Sequence, residues 1–78
     1  MTTVEALQKT RRLVAEGEVW GLFALVPVGA DEAMRAIARQ CTAEELEHPE
    51  NIVNWRRLEI VDAAIEQFKL KENALEAE

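Results

Sequence analysis

The sequence predicts an all-α fold, a small bundle of three to four helices with a long C-terminal helix. Helix-start signals at Thr2, Asp31 and Thr42 support this prediction, as do apolar residues that recur every three or four positions. The chain has 78 residues, 49% hydrophobic and 31% charged, which is a composition typical of globular proteins. Because so short a chain supports one core at most, we expect residues 1–78 to form a single helical domain.

The first helix is predicted over residues 3–16. Thr2 and Glu5 fit a capping box, in which each side chain bonds the other residue's backbone N–H. Gly17 is a natural end, since glycine readily adopts the left-handed conformation that closes many helices.

The apolar run Val19–Val28 is compatible with either a short buried helix or a buried strand. A strand would have no partner in its own chain, and unpaired buried backbone is costly. The prediction is therefore a short helix. The alternative is one short strand that pairs with the same segment of a second subunit across a dimer.

Two shorter helices are expected to follow. Asp31 is the predicted N-cap of a helix over Glu32–Gln40, with an ion pair to Arg35. Thr42 and Glu45 repeat the capping-box pattern and predict a short helix that ends near His48. The apolar face of the first of these helices is expected to contain Ala33, Met34, Ile37, Ala38 and Cys41.

The long C-terminal helix is predicted from about Asn51 to Ala74 or beyond. Along this segment, the residues of one predicted helix face are spaced alternately three and four positions apart, which is typical of a buried helix face. The stripe consists of Leu58, Val61, Ile65, Phe68, Glu72 and Leu75, widened by Ile52, Trp55 and Ala64. Leu58, Val61, Ile65 and Phe68 are expected to be largely buried.

The negative charge is concentrated in the second half of the chain. The net charge is −6; residues 1–40 carry five acids and five bases, whereas residues 41–78 carry ten acids and four bases. Such a chain repels phosphate backbones, which argues against general nucleic-acid binding. The excess favours either a basic protein partner or simple solubility.

Catalytic and metal-binding patterns are missing from the sequence. It contains no serine, one cysteine and one histidine, and Cys41 and His48 are too few for a zinc site. We therefore expect no enzyme activity, no cofactor and no metal. A single cysteine and the lack of a signal peptide or a membrane-spanning stretch predict a cytoplasmic protein.

Two arginine pairs, Arg11–Arg12 and Arg56–Arg57, are candidate phosphate contacts. Acidic residues flank each pair, so the simpler interpretation is a solvated helix face with local ion pairs. Direct nucleic-acid binding is thus not expected.

A partner-binding surface is predicted from two groups of residues. The acidic group contains Glu44, Glu45, Glu47 and Glu50, with no base between Thr42 and Asn51. The apolar group contains Trp20 and Phe23, which either anchor an interface or belong to the core.

Together these features predict a small acidic protein-interaction module of the inhibitor or adaptor type, which binds a basic surface of a partner protein. In size and charge the chain resembles small acidic phage-encoded anti-defence proteins, such as anti-CRISPR inhibitors, although no motif connects it to one family. The alternative is a structural subunit of a homo-oligomer, for example a homodimer, without catalytic activity. A regulator with weak nucleic-acid contacts through the arginine pairs is a third option.

Overall fold

The computed structural model describes residues 2–17 and 21–76, with side chains described up to residue 69. Within these ranges the chain is helical and contains no strand, which confirms the all-α prediction with its long C-terminal helix. No helix in these ranges is both long and apolar enough to cross a bilayer. The α-helices are α1 (Thr3–Ala15), α2 (Asp31–Arg39), α3 (Ala43–Glu47) and α4 (Asn54–Glu76), and 3₁₀ turns span Leu22–Leu25 and Pro49–Asn51.

Helix α1 begins at Thr3, as predicted, and ends at Ala15, one residue earlier than predicted. Thr2 Oγ1 accepts from the Glu5 backbone N–H at 3.2 Å, and the Glu5 carboxylate accepts from the Thr2 N–H at 3.4 Å. After Ala15 the helix is capped by Glu16, and Gly17 has a φ of +78°. The left-handed conformation of Gly17 turns the chain away from the helix axis.

Within the described part of the apolar run, Leu22–Leu25 form a 3₁₀ turn and no strand is present, which agrees with the prediction of a short helix over these four residues. Leu22, Leu25 and Val26 are buried and join the core. The buried Thr10 hydroxyl donates to the Ala6 carbonyl at 2.9 Å and reaches the Leu25 carbonyl at 3.5 Å. This hydroxyl therefore links the turn to α1 without an unsatisfied polar group.

Helix α2 begins one residue earlier than predicted, and Asp31 is not its cap. Ala30 occupies the N-cap position, and its carbonyl accepts the Met34 N–H at 3.1 Å. Asp31 instead lies in the first turn, where the helix dipole favours a negative charge. It forms no ion pair with Arg35; both side chains are exposed, and an exposed pair of this kind contributes little stability.

The buried face of α2 is narrower than predicted. Ala33 and Ile37 are fully buried, whereas Met34 is exposed, so its placement on the apolar face was wrong. Ala38 and Cys41 are half-buried at the edges of the face.

The buried face of α4 is centred on Ile60, Val61 and Ala64, which are almost fully inaccessible. Of the predicted stripe, Val61 is buried, whereas Leu58, Ile65 and Phe68 are only half-buried against the core. Ile65 lies about 100° around the helix from Ala64, so it falls at the edge of the face. Glu72 and Leu75 lie outside the described side chains.

One apolar core joins the elements. Helix α4 packs mainly against α1 and also against α2, with the first 3₁₀ turn against α1. An ion pair between Arg11 Nε and Asp62 Oδ1, at 2.6 Å, connects α1 to α4 at the surface. The core consists of Ala6, Leu7, Val14, Leu22, Leu25, Val26, Ala33, Ile37, Ile52, Ile60, Val61 and Ala64.

Candidate protein-binding groove

A shallow groove lies between α3 and the start of α4. Its volume is about 560 Å³, within the range of sites that hold a side chain or a short peptide. The second 3₁₀ turn carries the chain from α3 toward α4 and contributes Asn51 to the lining. The groove is lined by Thr42, Glu44, Glu45, His48, Asn51, Ile52, Val53, Trp55, Arg56 and Glu59.

Two apolar side chains of the groove face solvent. Trp55 is 68% exposed and Val53 is 53% exposed, whereas the neighbouring Ile52 is buried in the core. Trp55 precedes the buried Ala64 by nine residues, which places it on the opposite side of α4. An indole so accessible contributes little to the fold and leaves an apolar surface open to a partner.

Arg56 lines the groove, and hydrogen bonds to other residues of the chain hold its side chain in place. Its Nε and Nη2 donate to the two carboxylate oxygens of Glu45 at 2.8 and 3.0 Å. Its Nη1 donates to Glu59 Oε1 at 2.6 Å, and Nη2 also reaches the Gln40 carbonyl at 3.3 Å. All three guanidinium nitrogens therefore donate hydrogen bonds within the chain, so Arg56 is not a free anion site.

The carboxylate of Glu45 forms contacts within the chain that stabilise the fold, rather than facing a partner. Besides Arg56, its Oε1 accepts from the Thr42 backbone N–H at 2.9 Å, which completes the predicted capping box of α3. The hydrogen bonds from Arg56, followed by that from Thr42, lower the pKa of Glu45 from 4.5 to about 2. These contacts stabilise the carboxylate form and join α3 to α4.

The remaining acids of this region are exposed. Glu44 and Glu59 line the groove, and the Glu44 carboxylate has no hydrogen-bond or ion-pair partner among the described residues. Glu47 and Glu50 lie on the adjacent α3 and 3₁₀ turn, where Glu50 Oε1 is 3.5 Å from Nδ1 of the exposed His48. Of the four predicted glutamates, Glu44, Glu47 and Glu50 are thus available, and their role in partner binding stays a prediction.

Of the two predicted apolar anchors, the described one, Phe23, does not line this groove. Trp20 lies outside the described residues, and Phe23 is half-buried against the core. The exposed apolar residue beside the acids is Trp55, which sequence reasoning had assigned to the core. Two features of the sequence indicate that Trp55 is exposed. Its position in the helical repeat places it away from Ile60 and Ala64, and Glu59, four residues later, lies on the same face as Trp55.

Neither Cys41 nor His48 belongs to a metal-binding group in the described part of the chain. No group of three or more His, Cys, Asp or Glu residues is placed to hold a metal ion there. The half-buried Cys41 thiol donates to the Ile37 carbonyl at 3.4 Å, and burial raises its pKa, so it is a poor nucleophile.

Comparison of the chain with protein-family models, with curated proteins and with solved structures finds no match. Its function must therefore be argued from the surface itself.

Proposed function

We propose that this protein is an interaction module of the inhibitor or adaptor type that binds a basic segment of a partner protein in the groove between α3 and α4. The observation that carries the proposal is the exposed indole of Trp55 beside the free carboxylate of Glu44 and the carboxylate of Glu59. The binding partner would act in the cytoplasm, the compartment predicted from the sequence.

Trp55 supplies the energetic part of this interaction. Tryptophan is enriched among the few residues that contribute most of the binding energy at interfaces. Its ring also attracts lysine and arginine side chains through a cation–π interaction. A basic side chain over the indole would lie close to the groove carboxylates.

The surrounding charge supplies selectivity and speed. Glu44, Glu47, Glu50 and Glu59 are exposed in this region, and the one arginine that lines the groove is neutralised by Glu45 and Glu59. Such a surface attracts basic segments over long range and repels phosphate groups. Binding should accordingly be fast and weakened by salt.

The Arg56 network favours binding because it fixes the groove before the partner arrives. The Glu45 and Arg56 side chains are only 18% and 25% exposed, and their paired hydrogen bonds restrain both. A preformed groove loses less conformational entropy on association than a mobile one.

The alternative of a homo-oligomer finds less support at this surface. A symmetric dimer places the same patch against itself, so the exposed glutamates of one copy would face those of the other. Light scattering over a concentration series tests this alternative, which requires association at neutral pH and low salt.

The proposal is tested by titrating the ¹⁵N-labelled protein with two short peptides of equal length. One alternates arginine with leucine, and the other alternates glutamate with leucine. The basic peptide is expected to shift the amide signals of Thr42, Asn51 and Val53 saturably, and the acidic peptide is not. Equal binding of both peptides, or shifts that avoid the groove, would contradict the proposal.

A further inference from the structure

A second concave surface lies between α2 and α4. It encloses about 260 Å³ and shares no lining residue with the groove. Its charged and amide groups come from both helices, and Phe68, Ala36 and Ala64 provide an apolar wall. The polar lining consists of Glu32, Arg35, Arg39, Gln40 and Gln67.

The two arginines of this surface differ from those that hold the fold together. Arg11 and Arg56 each form short ion pairs with carboxylates on other elements. Arg35 and Arg39 are exposed, and within the part of the chain that the structure describes neither guanidinium group has a hydrogen-bond or ion-pair partner. Because they are four residues apart, they lie on one face of α2.

The nearest acid on α2 does not neutralise this arginine pair. Glu32 lies three residues before Arg35, but its Oε2 accepts from the Thr3 hydroxyl at 3.1 Å. This contact directs the Glu32 carboxylate toward α1. Two guanidinium groups and one carboxylate therefore line the surface, which leaves a local excess of one positive charge.

We propose that this surface binds a small oxyanion, a phosphate or carboxylate group, that carries an apolar body. Guanidinium groups recognise both anions with paired hydrogen bonds, and the Gln40 and Gln67 amides offer further donors. The apolar body would contact Phe68 and the two alanines. The volume fits a single-ring compound rather than a nucleotide.

The negative charge of the whole chain does not prevent such binding. Exposed charges are screened beyond about 8 Å at physiological ionic strength, so the adjacent arginines dominate the local potential. The proposal is independent of the function proposed for the groove, and neither depends on the other.

The test is a titration of the ¹⁵N-labelled protein with phenyl phosphate, benzoate, inorganic phosphate and benzylammonium. We expect phenyl phosphate and benzoate to shift the amides of Ala36, Gln40 and Gln67 saturably. Inorganic phosphate should bind the same site more weakly, since it lacks the ring. Benzylammonium has the ring but the opposite charge, and it should cause no saturable shift there.

Substitutions then identify the arginines that bind. The double variant Arg35→Gln and Arg39→Gln should weaken phenyl phosphate binding by at least about tenfold. Arg12→Gln is a matched control, because Arg12 and Arg39 are both exposed bases in the last turn of a helix. The control should change the dissociation constant by less than about twofold.

Thermal melts by circular dichroism establish that both variants fold. An equal loss of binding in the Arg12 variant, or shifts that fail to saturate or spread over all basic residues, would overturn the proposal. Equal shifts with benzylammonium would show that the ring alone binds, which would also overturn it.

Discussion

Both carboxylate oxygens of Glu45 accept hydrogen bonds from the Arg56 guanidinium, at 2.8 and 3.0 Å, and this contact joins α3 to α4. Helix α3 has only five residues and no buried side chain, so packing alone does not hold it in place. The position of the acidic groove therefore depends on an ion pair between residues eleven positions apart.

Replacing Arg56 with glutamine is expected to loosen α3 and lower the melting temperature by roughly 5–10 °C, because several charge-assisted hydrogen bonds are lost together. Differential scanning calorimetry and amide exchange in α3 measure the change. Arg12→Gln serves as the control, because the Arg12 side chain is exposed and has no ion pair with any described residue. If the two variants melt at the same temperature, the Glu45–Arg56 contact does not stabilise the fold.

The pKa of Glu45 predicts how stability depends on pH. Because its pKa falls from 4.5 to about 2 on folding, the stabilisation is fully present above pH 4.5 and is lost as the pH falls toward 2. Melting temperatures recorded across this range should decline more steeply for the wild type than for Glu45→Gln. Parallel curves for the two proteins would contradict this assignment.

Truncating side chains on α4 should distinguish residues at the centre of its buried face from those at the edge by the stability that each loses. Ile60→Ala should cost about 2–5 kcal/mol, because Ile60 is fully buried. Phe68→Ala should cost less, roughly 1–3 kcal/mol, since Phe68 is half-buried at the edge of the core. Urea titrations measure both values, and the reverse order would place the centre of the buried face elsewhere.

The end of α1 offers a test of backbone strain. Gly17→Ala should destabilise the protein by about 1–2 kcal/mol, because an L-residue is disfavoured at a φ of +78° even though the added methyl group meets open space. Gly21→Ala is the control: its φ is −60° and its surroundings are also open, so a similar loss would rule out strain as the cause.

The glutamates near the groove should divide into two classes. Changing Glu44 and Glu47 to glutamine should slow association with a basic peptide without lowering the melting temperature, since both side chains are exposed. Glu45→Gln should instead lower the melting temperature, because its carboxylate is engaged by Arg56. Stopped-flow association at two salt concentrations, with melts alongside, distinguishes the two effects.

Local sequence signals predicted much of this fold. The capping boxes at Thr2 and Thr42 and the glycine at 17 depend on neighbouring residues, and the structure confirms all three. The ion pair between Glu45 and Arg56 could not be predicted in this way, because it depends on how α3 folds back onto α4. From the sequence alone, the acidic residues between Thr42 and Asn51 therefore had no basic residue nearby to pair with.

Side-chain burial was predicted less well because periodicity gives the width of an apolar face but not its centre. The predicted apolar stripe of α4 is displaced by about one residue from the face that is buried in the structure. The predicted position of Trp55 toward the core was therefore wrong. Which side of a helix is covered depends on the neighbouring α1 and α2, whose placement is tertiary information. The candidate groove was consequently visible only in the structure.

The most direct test of the central claim is the affinity of Trp55→Ala for the basic peptide of arginine and leucine. We predict a dissociation constant at least about tenfold higher than that of the wild type, because truncation removes the apolar anchor of the groove. Val28→Ala removes a still more exposed apolar side chain that lies outside the groove, and it should leave the dissociation constant unchanged. An unchanged affinity in Trp55→Ala, with both variants folded, would contradict the claim that this groove binds a basic partner.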